Sequence, residues 1–455
     1  MGEPATDRHA SVDSPASGLK RAGRRITLGL AATRVEEEAL PRWGIAVLIS
    51  AAIAISYLDR QTLPVAVHAI EKDIPLSNQQ FSNLQSMFLF SYALMYAGGG
   101  RLVDALGTRR GFILIMIVWS LACASHALAT TVVMLAVSRF LLGMGEGGGF
   151  PAATRAVAEW FSPRQSATAM GIINAGTAVG AVAAPPLIAV VLTQFSWRWI
   201  FVLTGAIGLL WTIWWSLSYK SRVEKARDGH MPAAESLTAH AASLRWRDLL
   251  RVRESWGLVT AKFLSDAAWY FYLFWLPKYL YDARGFDLKA VGAFAWIPYA
   301  AAGTGCLLGG WFSSHLVQRQ FSLGSARKLA LGLSAALMPF VIFVPYVAVA
   351  WAFVIFSFAY LGQQSWSTLV MVLPADLFPA SVVGSVAGLV GFGGAMGGIA
   401  FGEVAGYLLD HGFGYKAVFA LAGTFHVIAF VIILVAIPVV APLRMERRLS
   451  YEGAR

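Results

Sequence analysis

Residues Arg139 to Pro151 read RFLLGMGEGGGFP and follow directly on the apolar run VVMLAVS, Val132 to Ser138. Together they form a segment long enough to cross a bilayer, which needs roughly 20 apolar residues. Inside it stand one arginine, Arg139, and one carboxylate, Glu146. On insertion scales an ionisable group at that depth costs about 2.5–3.5 kcal/mol, so its default reading is a functional one. The two lie seven positions apart, about two helical turns, and therefore share a face. Gly143, Gly145, Gly147, Gly148 and Gly149 let a neighbouring helix approach closely. A charged face beside a close-packing surface suits a helix lining a polar cavity better than a lipid anchor. The alternative is an Arg–Glu pair that only stiffens a bundle.

The whole chain supports that setting. Its 455 residues are 57% hydrophobic and 13% charged, with a mean hydropathy of +0.61. Soluble domains carry about 25% charged residues, so this is an integral membrane protein whose first partner is the lipid bilayer. Apolar runs and loop signals give about twelve spans. They run from near Trp43 past Pro64, Phe81 to Gly99, Gly111 to Leu128, the stretch above, Ala167 to Leu192, and Trp199 to Leu217. After a polar break come Ser255 to Leu276, Ala290 to Phe312, Leu329 to Val344, Val347 to Leu373, Val382 to Leu408, and Ala417 to Val440. The expected fold is an all-α membrane protein of twelve transmembrane helices in two six-helix halves. A disordered tail covers 1–42, the halves 43–218 and 254–440, a linker 219–253 and a second tail 441–455. Six spans, a linker and six more is the pattern of a repeated unit.

Basic residues fix the expected orientation. Lys20, Arg21, Arg24 and Arg25 precede the first span, Lys220, Arg222, Lys225, Arg245, Arg247 and Arg251 fill the linker, and Arg444, Arg447 and Arg448 end the chain. Both termini and the linker are therefore read as cytoplasmic. The net charge of +11 then reports topology, with no nucleic-acid partner. Cys123 and Cys306 each sit in an apolar span as small packing residues, without a disulfide or metal. No nucleophile–base constellation or cofactor motif supports an enzyme.

Several motifs carry the chemistry. The second span ends in Gly100-Arg-Leu-Val-Asp104-Ala-Leu-Gly107-Thr-Arg109-Arg110. Its glycines permit a tight turn, and Asp104, Arg109 and Arg110 can pair across the cytoplasmic interface as a gate. This spacing resembles the signature loop of the major facilitator superfamily. The second half echoes it only partly, at Gly309-Gly310-Trp-Phe-Ser-Ser314, with Ser314 at the aspartate position. The first span holds Ser56-Tyr57-Leu58-Asp59-Arg60-Gln61. Adjacent charges on a helix point about 100° apart, so Asp59 and Arg60 each need a partner elsewhere. In the seventh span, Tyr270, Tyr272 and Trp275 offer rings and hydroxyls to a polyhydroxylated ligand, or simply pack or form an interfacial belt. Asp266 beside them is a further ionisable group that binds, caps or gates. The tenth span places Gln363, Gln364, Ser365, Trp366, Ser367 and Thr368 together, a hydrogen-bonding wall or helix glue.

Taken together, the D-R pair, Arg139-x3-Gly-x-Gly-Glu146, and GIINAGTAVGAVAAPP (Gly171 to Pro186) resemble the anion:cation symporter family of the major facilitator superfamily. WYFYLFWLPKYL (Trp269 to Leu280) and LPADLFPASVVGSVAGLVGFGGAMGGI (Leu373 to Ile399) do so too. The likeness runs from about Trp43 to Val440, and Asp266 to Leu280 resembles the bacterial hexuronate transporters. The resemblance implies proton-coupled import of a small organic anion by alternating access, a hexuronate such as galacturonate or glucuronate. An aldonate, aromatic acid, dicarboxylate or phosphate, or sodium coupling, is the alternative within the class; efflux exchange is the alternative outside it. On this resemblance Arg60 binds the substrate carboxylate, as its donor fork suits. Asp59 and Glu146 take protons, and Arg139 holds Glu146. Tyr92 and Thr177 face the substrate, Thr177 standing where some relatives carry glutamine. Gln364, Ser365 and Trp366 complete the expected site. The carrier would work as a monomer in the inner (plasma) membrane.

Overall fold

The computed structural model describes Gly2 and residues 39–161, 163–219, 249–378 and 380–443. Nearly all of the expected tails and most of the linker fall outside these residues. Within them the chain makes twelve spans. The first half contains Ala39–Glu71, Asn78–Leu106, Thr108–Ser125, the broken fourth span Val132–Glu146 and Gly149–Trp160, Pro163–Gln194, and Trp197–Ser218. The second contains Arg253–Arg284, the broken eighth span Leu288–Phe294 and Trp296–Gln318, and Leu323–Ala336 continued by the 3-10 turn Met338–Tyr346. Val349–Leu377, Ala380–Asp410 and Gly414–Ala436 complete it.

Local sequence sets these limits. Ser77 opens the second span by accepting from Gln80 N while Gln80 reaches back to the Ser77 backbone, a reciprocal cap. Gly285, left-handed at φ 66°, closes the seventh. That span reaches Arg284, beyond the expected stop at Leu276, because Lys278 pairs with Asp282 at 3.1 Å one turn on and with Glu71 at 3.0 Å across the seam. The fourth span breaks directly after Glu146, where three consecutive glycines interrupt it. Nine of the twelve are apolar enough to cross a membrane by composition. The other three, the second, seventh and tenth, carry the polar groups that face inward. Outward-facing Leu121, Val133, Leu210, Leu217, Leu307, Trp311 and Trp351 are exposed, as lipid contact requires.

The packing repeats itself. The first span lies on the fifth, the second on the fourth and the third on the sixth. In the second half the seventh lies on the eleventh, the eighth on the tenth and the ninth on the twelfth. Matching glycine pairs make the closest approaches. A Cβ at Gly176 or Gly180 of the fifth span would collide with Ser50 or Ala54 of the first. One at Gly393 or Gly397 of the eleventh would collide with Val259 or Phe263 of the seventh. Small residues four apart are how membrane helices bring backbones together. The halves meet where the second span lies on the eleventh, the fifth on the eighth and the first on the seventh.

Candidate functional site

The first and fourth spans meet at a buried carboxylate. Ser56 Oγ donates to Glu146 Oε2 at 2.6 Å and Arg60 Nε donates to the same oxygen at 2.9 Å. Arg60 lies among three rings, its guanidinium carbon 4.8 Å from the Tyr57 centroid, 5.3 Å from Phe88 and 4.6 Å from Tyr92. Such rings stabilise a cation removed from water. Only Nε is hydrogen-bonded among the described residues, so the two terminal nitrogens keep their donors. Asp59, pointing elsewhere, accepts from Trp119 Nε1 at 2.7 Å. Its Oδ1 and Glu146 Oε1 have no partner among the described residues.

Arg139 is placed differently from expectation. It is fully buried, none of its guanidinium nitrogens has a hydrogen-bond partner among the described residues, and its carbon stands 5.8 Å from the Phe88 ring. Seven residues of helix separate it axially from Glu146 by about 10 Å, and Arg60 takes the carboxylate instead.

A cavity of about 390 Å³ adjoins this cluster. Tyr92, Tyr96, Thr154 and Asn174 line it from the first half, and Lys262, Asp266, Tyr270 and Gly391 from the second. It lies on the linker side of the molecule. Toward the opposite end the halves are joined. Gln61 donates to Leu273 O at 3.0 Å, Tyr299 OH to Gln61 Oε1 at 3.1 Å and Tyr281 OH to Val65 O at 3.0 Å. At the far rim Asp410 accepts from Asn78 N at 3.0 Å and Gln79 N at 2.8 Å, capping the second span, and Glu403 accepts from Gln79 and Ser86.

Of the other expected residues, Tyr92 and Tyr270 line the cavity. Thr177 and Gln364 face a narrower gap between the halves, shared with Tyr57 and Trp269. Tyr272, Ser365 and Trp366 lie inside the second half. Tyr272 stacks on Tyr360, Ser365 Oγ donates to Gly305 O at 2.8 Å, and Trp366 packs against His426 and Phe430. Helical geometry separates the polar run, because Gln364 and Ser367 share one face and Gln363 and Trp366 another. Lys262, like Tyr96 and Thr154, lines the cavity but lay outside the residues the motifs singled out. Its signal was its spacing of four residues from Asp266, which puts both on one face.

The expected gate residues lie at the end of the second span and the start of the third. Gly107 turns the chain at φ 78°. Arg109 Nη2 donates to Ser216 O at 2.6 Å, tying the third span to the sixth, and Arg110 is exposed. Gly100 and the side chain of Asp104 fall outside what is described. Nearby, Glu159 accepts from Thr108, from Arg155 Nε at 3.1 Å and from Tyr219 OH at 2.7 Å. The second half repeats this. Asp376 accepts from Arg327 Nε at 2.8 Å, and Arg327 Nη1 donates to Ser313 Oγ at 2.8 Å; Ser313, beside the expected Ser314, makes the contact.

Two repeated six-span halves, a cavity at their seam and buried opposed charges beside it define a membrane carrier rather than an enzyme. Residues 49–402 match the Major Facilitator Superfamily, and the chain belongs to that family. It is 30% identical to the hexuronate transporter of Escherichia coli strain K12 over 86% of this chain and 93% of that one. It is 33% identical to the galacturonate transporter of Dickeya chrysanthemi over 68% and 94%. A bacterial homolog of the human lysosomal transporter Spinster, solved inward-facing and unoccupied, superposes with a TM-score of 0.66 at 18% identity. The match covers 87% of this chain and 95% of that one, and it shows the same fold.

Proposed function

We propose that this carrier imports a sugar-acid anion, a hexuronate such as galacturonate or glucuronate, with one or more protons by alternating access. The observation that supports this reading most directly is Arg60, anchored by Nε to a buried glutamate while its terminal nitrogens remain unengaged. A guanidinium edge of that kind matches a carboxylate with two parallel N–H···O bonds. The relatives' transport of hexuronates and galacturonate supplies the substrate class. The protein works as a monomer in the inner membrane. With the linker cytoplasmic, the cavity opens inward.

Coupling follows from charge. While Glu146 is ionised it neutralises Arg60; a proton on Glu146 leaves an uncompensated cation that an anion then neutralises. Each ligand thereby favours the other, which is a coupling free energy between two sites. Asp59, held by Trp119 at 2.7 Å, is the second protonation site. Arg139, whose guanidinium has no acceptor among the described residues, adds a second buried cation to this cluster.

The test is uptake of radiolabelled galacturonate or glucuronate into proteoliposomes, with and without an inward proton gradient. Accumulation that follows the gradient is expected. Uptake that ignores the gradient removes proton coupling. No uptake by protein that transports another anion removes the hexuronate assignment.

A further inference from the structure

The second half carries a groove that transport along the seam between the halves does not use. Leu308, Trp311 and Phe312 of the eighth span form one wall, Leu333 and Leu337 of the ninth the other, and Leu361 of the tenth the floor, around a volume of about 220 Å³. Leu308, Trp311 and Leu333 are exposed, so the groove opens toward lipid. Two glycines set its depth. A Cβ at Gly305 or Gly309 of the eighth span would collide with the backbone of Leu361 or Ser365 of the tenth, so these backbones touch, while the ninth span packs less closely on the eighth. Both hydroxyls of the lining are spent on carbonyls. Ser365 Oγ donates to Gly305 O at 2.8 Å and Ser334 Oγ to Ala330 O at 2.9 Å, which leaves the lining apolar apart from the Trp311 ring nitrogen.

Toward the linker side the same face of the eighth span ends in charge. Trp311, His315 and Arg319 follow at intervals of four, one above the other on a helix. His315 stacks on Trp311. Arg319 is exposed, and its guanidinium has no partner among the described residues. From Trp296 to Leu377 the one acid is Asp376, and Arg327 takes it at 2.8 Å, so the rim keeps its positive charge. From Trp311 to Arg319 is about 12 Å of helix, enough to pass from hydrocarbon through a headgroup layer of roughly 5–8 Å. An apolar groove that ends at an unpaired cation fits an amphiphile with an anionic head, and basic sites between membrane helices hold such headgroups. We propose that this groove binds an anionic phospholipid, one acyl chain lying against Leu361 and the phosphate at His315 and Arg319.

The experiment is native mass spectrometry of the purified full chain in detergent, titrated with phosphatidylglycerol and with phosphatidylcholine of the same acyl chains. Wild type should hold phosphatidylglycerol several-fold more tightly. In Arg319→Gln that affinity should fall roughly fivefold, the worth of one basic side chain at an anionic headgroup, while phosphatidylcholine binding stays as it was. Leu333→Trp, which fills the groove from an exposed position and so spares the packing of the spans, should weaken both lipids. Equal affinities for the two lipids in wild type overturn the inference. Phosphatidylglycerol binding that is unchanged in Arg319→Gln also overturns it. A fall in Arg319→Gln with none in Leu333→Trp would mean a charged surface without a groove site, and overturns it too.

Discussion

Arg60→Lys isolates the geometry of the anion site from its charge. In the proposed function Arg60 has two tasks: Nε holds Glu146 Oε2 at 2.9 Å, and the terminal edge takes the substrate carboxylate. Lysine keeps the positive charge but presents it as a single point on a flexible stem. It cannot hold Glu146 and also make two parallel bonds to a substrate. One charge-assisted bond is lost, worth about 1.5–3 kcal/mol, and each 1.4 kcal/mol is tenfold in affinity. The galacturonate Kd of Arg60→Lys should therefore rise roughly 10- to 100-fold over wild type. The assay is calorimetric titration in detergent at constant pH, with monodispersity as the check on folding. A folded Arg60→Lys protein whose Kd stays within about threefold of wild type would mean that charge alone holds the anion, and the fork argument would be wrong.

Glu146→Gln removes the titrating counter-ion of Arg60; proton-driven accumulation should vanish while counterflow exchange persists, and loss of both in folded protein would take Glu146 out of the coupling step. Gly397→Leu drives a side chain into the Phe263 backbone and should lower the thermal unfolding midpoint by several degrees, since overpacking costs about 1–3 kcal/mol or more. Gly171→Leu, with nothing within 4 Å of its Cβ, is the control; equal midpoints for the two would contradict the close-packing role. Asp73, beyond the first span, is held below the usual carboxylate range by the hydrogen bonds from Arg198 and Trp197. A depressed carboxylate stabilises above its unfolded pKa of about 3.9 and loses that contribution as pH falls through the folded value. Asp73→Asn should thus unfold at lower temperature than wild type at pH 7, with the gap closing below about pH 4; a gap that persists in acid would refute the assignment.

The spans were legible because hydropathy and length are local properties, and the repeat was visible as six, a linker and six. The site was legible residue by residue but not in its pairings. Arg139 and Glu146 share a face by spacing, yet the partner of Glu146 comes from another helix 86 residues away in sequence. No periodicity encodes that approach. The aromatic and polar runs of the seventh and tenth spans were read as blocks. A helix distributes consecutive residues around its axis, so Tyr270 reached the cavity and Tyr272 the interior of its own half. Lys262 stood outside the quoted motifs, and only its spacing of four residues from Asp266 pointed to it.

The joined far side also has an electrical consequence. From Gln61 to Glu71 the cross-half contacts follow ten residues of the first span, about 15 Å of helix against a hydrocarbon core of about 30 Å. On the linker side of that seal lies the cavity of about 390 Å³, and water entering it would bring it nearly to the potential of the linker side. The membrane voltage therefore drops across the sealed half, where each elementary charge crossing it exchanges about 2.3 kcal/mol per 100 mV. On the proposed function, a proton or anion released from Glu146 or Arg60 to the linker side does little electrical work. Voltage acts on the reorientation that carries those charges past the seal, so transport current should depend on membrane potential through that step while release to the linker side does not.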